Sequence, residues 1–211
     1  MTLSSHFRKI LVPLLAVFLT CTLVLAAMDK FTHDNIAKNA RAAELRVIDS
    51  VMPLPHDNDL HDDYIEVNDP AHTGSATQVS VFRARQAGQP VGIVFMPVTA
   101  KGYSGNILLL IGIAYDGTLL AVRVLKHQET PGLGDRIDHT KSGWIDQFTG
   151  RSLAKTPIAD WALQTDGGKF DQLSGATITS RGVVNAVREA LDYYQANRER
   201  LYLENRQQIS P

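Results

Sequence analysis

The chain begins with an uncharged, mostly apolar run from Ile10 to Met28. A run of about 20 apolar residues can cross a bilayer as a helix, whereas the apolar core of a cleaved signal peptide is usually about 7–15 residues long. The sequence therefore predicts one transmembrane helix at 10–28. Because Arg8 and Lys9 precede this helix, residues 1–9 are expected in the cytoplasm and the remaining chain outside, which in a bacterium is the periplasm.

Residues 29–55 carry apolar positions at helical spacing and predict a stalk helix that Pro53 and Pro55 end. The pattern then changes to short segments that are rich in β-forming residues and bounded by turn residues. Asp116-Gly117, between two of these segments, is a strong hairpin signal. The predicted strands are Tyr64–Val67, Gln78–Arg85, Val91–Val98, Asn106–Tyr115 and Thr118–Lys126.

Two helices are predicted after the strands. The first is a short helix with an aromatic face at Ser142–Phe148, and the second is longer and is expected to fray where its sequence becomes polar after Tyr194. The apolar face of the longer helix comprises Val183, Val184, Val187, Ala190, Leu191 and Tyr194. Hairpin signals outnumber strand–helix–strand signals, so the predicted fold class is α+β. We expect a largely antiparallel sheet packed by helices, in one external domain at 56–211.

The composition of the chain excludes several classes of partner and site. The formal net charge is −1, and no basic stretch with interleaved aromatic residues is present, so nucleic acid is not an expected partner. The single cysteine, Cys21, excludes an internal disulfide framework and any multi-cysteine zinc or iron–sulfur site. A redox role would therefore need a cofactor that is attached by other chemistry.

The segment His56–Asp63 contains histidine and aspartate residues that could bind a divalent cation. No helical or strand spacing brings these groups together, and a solvated acidic loop has the same composition. We therefore predict no metal site.

Near the C-terminus, Ser174, Gly175, Ala176 and Thr177 directly precede the apolar pattern of the long helix. Small hydroxyl residues and glycine at this position are typical of an ordinary helix cap. A helix N-terminus also provides backbone N–H groups and a partial positive charge, which suit a phosphate. The residue pattern alone leaves both interpretations open.

A loop that contains two glycines follows the last predicted strand; its sequence is Glu129-Thr130-Pro131-Gly132-Leu133-Gly134-Asp135. Its glycines allow the backbone to approach a flat ring or a phosphate closely, although a plain turn would look the same.

Together these motifs resemble a known family. Asp171-x-x-Ser-Gly-Ala-Thr177 resembles the flavinylation motif of the FMN-binding domain family. Four motifs occur in the same order as in the G subunits of the Rnf (or Rsx) ion-translocating electron transport complexes, and the N-terminal apolar run also resembles that family. These motifs are Gly102-Tyr-Ser-Gly, the Glu129 loop, Lys141-Ser-x-Trp144 and Ser174-Gly-Ala-Thr177.

The resemblance implies FMN joined through its phosphate to the hydroxyl of Thr177. The loop residues that it implies beside the flavin are Glu129, Thr130, Gly132 and Leu133, with Lys141 and Trp144 as lesser candidates. It assigns Ser174, Gly175 and Ala176 to recognition by a flavin transferase and to close approach of the phosphate. Thr179 is the main rival for the attachment.

The resemblance also implies an electron carrier in a bacterial inner-membrane complex with Rnf subunits A, B, C, D and E. That complex links ferredoxin and NAD oxidoreduction to ion movement, and this chain would have no independent turnover. One alternative is a membrane-anchored periplasmic binding or scaffold module without flavin. Another is the C subunit of the Na⁺-translocating NADH:quinone reductase, although members of that family are typically longer and usually lack the continuation Asp135-Arg136.

Overall fold

The computed structural model describes residues 11–24, 28, 46–76 and 78–203. The chain divides into two compact units, Met1–Arg46 and Val47–Pro211. In the first unit, residues 11–24 are helical. The described stretches include no helix that is both long enough and apolar enough to cross a membrane.

Several predictions for the N-terminal part fall outside the described residues. These are the cytoplasmic segment 1–9, residues 10 and 25–27 of the predicted transmembrane helix, and the stalk from residue 29 to residue 45. At the end of the predicted stalk, residues 46–49 are helical and residues 50–55 are not. The described helix therefore ends before Pro53 and Pro55, because Val51 and Met52 turn onto the sheet and are buried there.

The second unit is built on one six-stranded sheet in which every pairing between strands is antiparallel. β5 pairs with β3 and β4 and also with β6, and the order from one edge is β1-β2-β3-β5. The strands are β1 (Tyr64–Val67), β2 (Val79–Gln86), β3 (Gln89–Phe95), β4 (Val98–Thr99), β5 (Ile107–Ala114) and β6 (Leu119–Lys126). The predicted antiparallel sheet is thereby confirmed.

The turn between β5 and β6 is the predicted Asp116-Gly117 hairpin. Gly117 has a φ of +85°, and the Ala114 amide donates to the Thr118 carbonyl at 2.8 Å. Glycine adopts this left-handed backbone without the steric penalty that a Cβ would bring. The dipeptide therefore predicted both the position of the turn and the pairing of its two strands.

One face of the sheet packs against the C-terminal helix, Thr177–Leu203. The apolar positions predicted from Val183 to Tyr194 are all buried in this core. The predicted short helix is present as the 3-10 helix Gly143–Phe148, and Phe148 stacks on Phe170 with ring centroids 5.0 Å apart. Burial of these apolar side chains is the main stabilising contribution on this face.

The opposite face is covered by the segment that precedes β1. Ile48, Val51, Met52 and Leu60 form a second core with residues of the sheet. Val51 lies so close that a Cβ at Gly112 would be 1.8 Å from the Val51 carbonyl oxygen, which explains why β5 has glycine there. Packing of the domain thus begins before residue 56, where the sequence pattern placed its start.

The C-terminal helix is longer than expected, since it continues to Leu203 instead of fraying after Tyr194. Arg83 donates to the Leu201 carbonyl at 3.3 Å, and Arg85 donates to the Tyr202 carbonyl at 3.0 Å. Cationic side chains near the last carbonyls of a helix satisfy acceptors that lack intrahelical partners. These contacts come from β2, so the sequence of the helix alone could not reveal them.

Candidate functional site

The Gly102-Tyr-Ser-Gly loop, the Glu129 loop and the start of the C-terminal helix meet around one cavity of about 470 Å³. Small-molecule sites commonly enclose about 300–1,000 Å³. The lining residues are Tyr103, Glu129, Thr130, Leu133, Gly134, Gly175, Ala176, Thr177, Ile178 and Thr179. Stretches that are far apart in sequence are thus brought together at a cavity of suitable size for a small ligand.

Thr177 is the first residue of the C-terminal helix, and it lines this cavity in a half-buried position. The first N–H groups of an α-helix have no intrahelical acceptor and carry a partial positive charge. An anionic group on the Thr177 hydroxyl would therefore lie beside donors that suit it.

The two later hydroxyl residues are in a different situation. Thr179 is completely buried, and its hydroxyl donates to Oε2 of Glu129 at 2.5 Å. Ser180 is also buried; its Oγ donates to the Ala176 carbonyl and accepts from the Leu173 amide, both at 3.0 Å. Both hydroxyls therefore hold the start of the helix in place.

Glu129 is a buried carboxylate between these segments. In addition to the bond from Thr179, its Oε1 accepts from the Ser104 amide at 3.0 Å. A Cβ at Gly134 would lie 2.7 Å from Oε2, and one at Gly102 would lie 2.8 Å from Oε1. Glycine at both positions therefore makes room for the carboxylate.

Most of the remaining predicted residues line one of two hollows. Thr130, Leu133, Gly175 and Ala176 line the cavity beside Thr177. Ser174 and Trp144 line a separate hollow of about 730 Å³, where the indole N–H of Trp144 donates to the Asp171 carbonyl at 2.7 Å.

Two predicted candidates line neither of these hollows. Gly132 has a φ of +80° and is exposed in the turn of its loop, and Lys141 is exposed beyond that turn. The residues that line the cavity with Thr177 therefore do not include four of the predicted candidates, which are Ser174, Trp144, Gly132 and Lys141.

Sequence reasoning did not single out Tyr103 and Ile178, which also line the cavity. Tyr103 is 70% exposed, Ile178 is 52% exposed and Leu133 is 45% exposed. Exposed large apolar groups that cluster at a cavity are unusual on a free surface and are typical of a binding site. The signal for Tyr103 was present in Gly102-Tyr-Ser-Gly, whereas Ile178 could be placed only from the structure.

These features fit FMN. The apolar groups of Tyr103, Leu133 and Ile178 suit a flat aromatic ring, and the helix start suits a phosphate. Gly175 has a φ of +77°, and because it has no side chain it leaves space for the side chain of Leu133 close to Thr177.

The acidic segment His56–Asp63 binds groups of its own chain. Asp57 accepts from the Ala87 amide at 2.7 Å, and Asp63 forms a salt bridge with Arg85 at 2.8 Å. Its carboxylates hold the segment against β2. Among the residues that the structure describes, no group of three histidine, cysteine, aspartate or glutamate residues could hold a metal ion.

Comparisons with known proteins agree with this geometry. Residues 102–192 match the FMN-binding domain family, and this range includes every residue that lines the cavity. A protein of Shewanella baltica is 40% identical over 191 residues, or 90% of each chain. Proteins of Pseudomonas aeruginosa and Vibrio cholerae are 42% and 40% identical over 84% and 90% of this chain, and over 84% and 91% of their own lengths.

All three relatives are named as the G subunit of an ion-translocating oxidoreductase complex. Among solved structures, the C subunit of the Na⁺-translocating NADH-quinone reductase from Parabacteroides distasonis is similar with a TM-score of 0.45 and 22% identity. That similarity covers 68% of this chain and 78% of the other. On the strength of the sequence relatives, the chain belongs to the G-subunit family of the ion-translocating oxidoreductase complexes, the Rnf-type family that its motifs resemble, and it contains an FMN-binding domain.

Proposed function

We propose that this protein is the electron-carrier subunit of a membrane-bound, ion-translocating ferredoxin/NAD oxidoreductase complex and that FMN is joined to Thr177 by a phosphoester. One observation carries the proposal. Among the hydroxyl residues from Ser174 to Ser180, Thr177 alone lines the cavity while remaining partly accessible. Thr179 is fully buried, Ser180 is buried behind the helix start, and Ser174 faces another hollow.

The linkage forms without any change in oxidation state. The Thr177 Oγ–phosphorus bond forms, the bond from phosphorus to its leaving group breaks, and the threonine proton is released. The donor would be an activated flavin nucleotide in which the FMN phosphate is joined to a second phosphate group by an anhydride bond, and that second phosphate group would leave with the bridging oxygen. Relative to free FMN and threonine, the product has lost one water. A flavin transferase is the proposed catalyst. Among the described residues that line the cavity, Glu129 is the one carboxylate, and it accepts the hydrogen bond from Thr179.

The residues of the chain bind and orient the group. The N–H groups at the helix start would bind a phosphate on Thr177, while Tyr103, Leu133 and Ile178 would provide apolar surface for the ring. When bound, the flavin supplies the one- and two-electron redox chemistry. A helix terminus stabilises an exposed anion by only about 0.3–1 kcal/mol. A covalent tether adds a high effective concentration of the ring at its cavity.

The proposed setting is the bacterial inner membrane. The uncharged run at 10–28 would cross the membrane once, with the second unit in the periplasm. The proposed partners are subunits A to E of the complex, because the relatives are named as subunits of a complex and this sequence has one cysteine and no dinucleotide-binding motif. Reporter fusions after Lys30 and at the C-terminus test the orientation, and a cytoplasmic signal at either place would contradict it.

The flavin proposal is tested in cells that also produce a flavin transferase. The wild-type chain should show in-gel flavin fluorescence, Thr177→Ala should lose it, and Thr177→Ser should keep part of it because a hydroxyl remains. Loss of a side chain at a helix start should cost only about 0.5–2 kcal/mol, so Thr177→Ala should stay folded. A colourless wild-type protein from these cells would favour a binding or scaffold module instead.

A further inference from the structure

Three motifs of the chain meet at the carboxylate of Glu129. Its Oε2 accepts from the Thr179 hydroxyl at 2.5 Å, and its Oε1 accepts from the Ser104 amide at 3.0 Å. The first bond joins residues 50 positions apart, and the second joins residues 25 positions apart. The buried side chain of Glu129 therefore links its own loop and the Gly102-Tyr-Ser-Gly loop to the first turn of the C-terminal helix.

A buried carboxylate needs such donors, because a charged group without hydrogen bonds is strongly disfavoured away from water. Both of its oxygens have a partner, the Thr179 hydroxyl on one and the Ser104 amide on the other. The backbones of Gly102 and Gly134 lie so close to the carboxylate that a Cβ on either glycine would collide with one of its oxygens. The carboxylate is therefore confined from both sides.

The bond also fixes the direction of the helix start. Successive residues of an α-helix are rotated by about 100°, so Thr177 and Thr179 point about 160° apart around the axis. Since Thr179 is held towards buried Glu129, Thr177 is turned towards the accessible side. This agrees with the complete burial of Thr179 and the partial exposure of Thr177.

We propose that Glu129 is the positioning residue of the attachment site. Its hydrogen bond with Thr179 orients the first helical turn so that the hydroxyl of Thr177 receives the FMN phosphate. This inference rests on the proposed attachment of FMN to Thr177 and explains how that residue is selected. Glu129 acts through Thr179 and the Ser104 amide, and it need not touch the transferred phosphate.

Two substitutions at position 179 separate positioning from packing. Thr179→Val keeps the shape of the side chain and removes the hydroxyl, whereas Thr179→Ser keeps the hydroxyl and removes a methyl group. In the full chain with the transferase, the initial rate of flavin attachment should fall roughly tenfold or more in Thr179→Val, as expected for loss of one hydrogen bond to a charged group. Thr179→Ser should retain most of the rate.

A double variant keeps the test decisive if Thr179→Val is unstable. Replacing both partners of a buried hydrogen bond by apolar groups can be nearly neutral for folding, whereas removing one partner is not. Glu129→Met combined with Thr179→Val should therefore recover thermal stability relative to Thr179→Val, while attachment stays slow. Recovery of both stability and the attachment rate would assign a purely structural role to the pair and overturn the proposal.

A second measurement does not depend on flavin. In full-length protein made without the transferase, amide hydrogen exchange of Ser104 should be roughly tenfold faster in Thr179→Val than in Thr179→Ser, because the acceptor of that amide loses its anchor. If the wild type carries no flavin, the proposed function fails, and this comparison still decides whether Glu129 orients the turn. Equal exchange in the two variants, or equal attachment rates, would contradict the positioning role.

Discussion

The backbone of Gly175 lies against the side chain of Leu133. A Cβ at Gly175 would be 3.0 Å from Cδ2 of Leu133, and Gly175 has a φ of +77°. The residue that precedes Ala176 and Thr177 thus touches the loop of Glu129 at the edge of the cavity. Glycine serves two purposes here, since it accepts the left-handed backbone and leaves space for the loop.

The first prediction follows from this contact. Gly175→Ala should lower the free energy of unfolding by about 1–3 kcal/mol, because a non-glycine residue in the left-handed region is strained. It should also reduce flavin attachment, because the new methyl group displaces Leu133. Gly88→Ala is the matched control, since Gly88 has a φ of +76° and nothing within 4 Å of the added Cβ. The control should lose stability in urea unfolding but keep flavin, and normal attachment in Gly175→Ala would contradict the assigned contact.

A second prediction concerns Gly134. In Gly134→Ala the added Cβ would lie 2.9 Å from Cβ of Glu129, and it should push Glu129 away from Thr179. We expect slower flavin attachment and a stability loss of about 1–3 kcal/mol, as for overpacking a core site. Gly143→Ala is the control, because its nearest neighbour, a carboxylate oxygen of Asp146, would be 3.7 Å away. If both variants behave alike, Gly134 does not make room for Glu129.

The third prediction concerns the end of the C-terminal helix. The two arginines that bind the last carbonyls of this helix, Arg83 and Arg85, both pair with Asp63. Arg83 is only 5% exposed. Asp63→Ala should lower the free energy of unfolding by about 3 kcal/mol, because removing one partner leaves a buried charge uncompensated. In contrast, Glu189→Ala breaks an exposed pair with Lys101 and should cost under about 1 kcal/mol. Equal losses in chemical denaturation would show that the pairs of Asp63 with Arg83 and Arg85 do not hold the helix end.

A fourth prediction concerns alkaline pH. Burial raises the pKa of Tyr194 from 10.0 to about 12. Because the folded pKa lies above the unfolded one, the contribution of Tyr194 is fully present below pH 10 and is lost as the pH rises towards 12.

Unfolding free energies measured across this range test the assignment. Tyr194→Phe should be less stable than wild type at neutral pH by about 1 kcal/mol, since the hydroxyl donates to the Tyr115 carbonyl. The same variant should lose less stability than wild type as the pH rises. An unchanged pH dependence in Tyr194→Phe would show that another group is responsible.

The sequence predicted the parts of the fold that depend on local pattern. Segments rich in β-forming residues and bounded by turn residues predicted the strands, and Asp116-Gly117 predicted the hairpin between two of them. Helical spacing from Val183 to Tyr194 predicted the buried face of the helix. It could not predict that Val51 covers β5, or that arginines of β2 bind the end of the helix, because these contacts join distant segments.

The same reasoning applies to the site. The motif resemblance predicted Thr177 and the Glu129 loop, and both line the cavity. It also suggested Lys141 and Trp144, which are not among the residues that line the cavity. Conversely, the bond between Glu129 and Thr179 joins residues 50 positions apart and left no signal in the local pattern.

The most direct test of the attachment is peptide mass spectrometry of wild-type protein from cells that contain the flavin transferase. The peptide that spans Ser174 to Ser180 should carry the mass of FMN minus one water, and fragmentation should assign that increment to Thr177. An increment on Thr179, or an unmodified peptide from a preparation in which the transferase is active, would contradict the account.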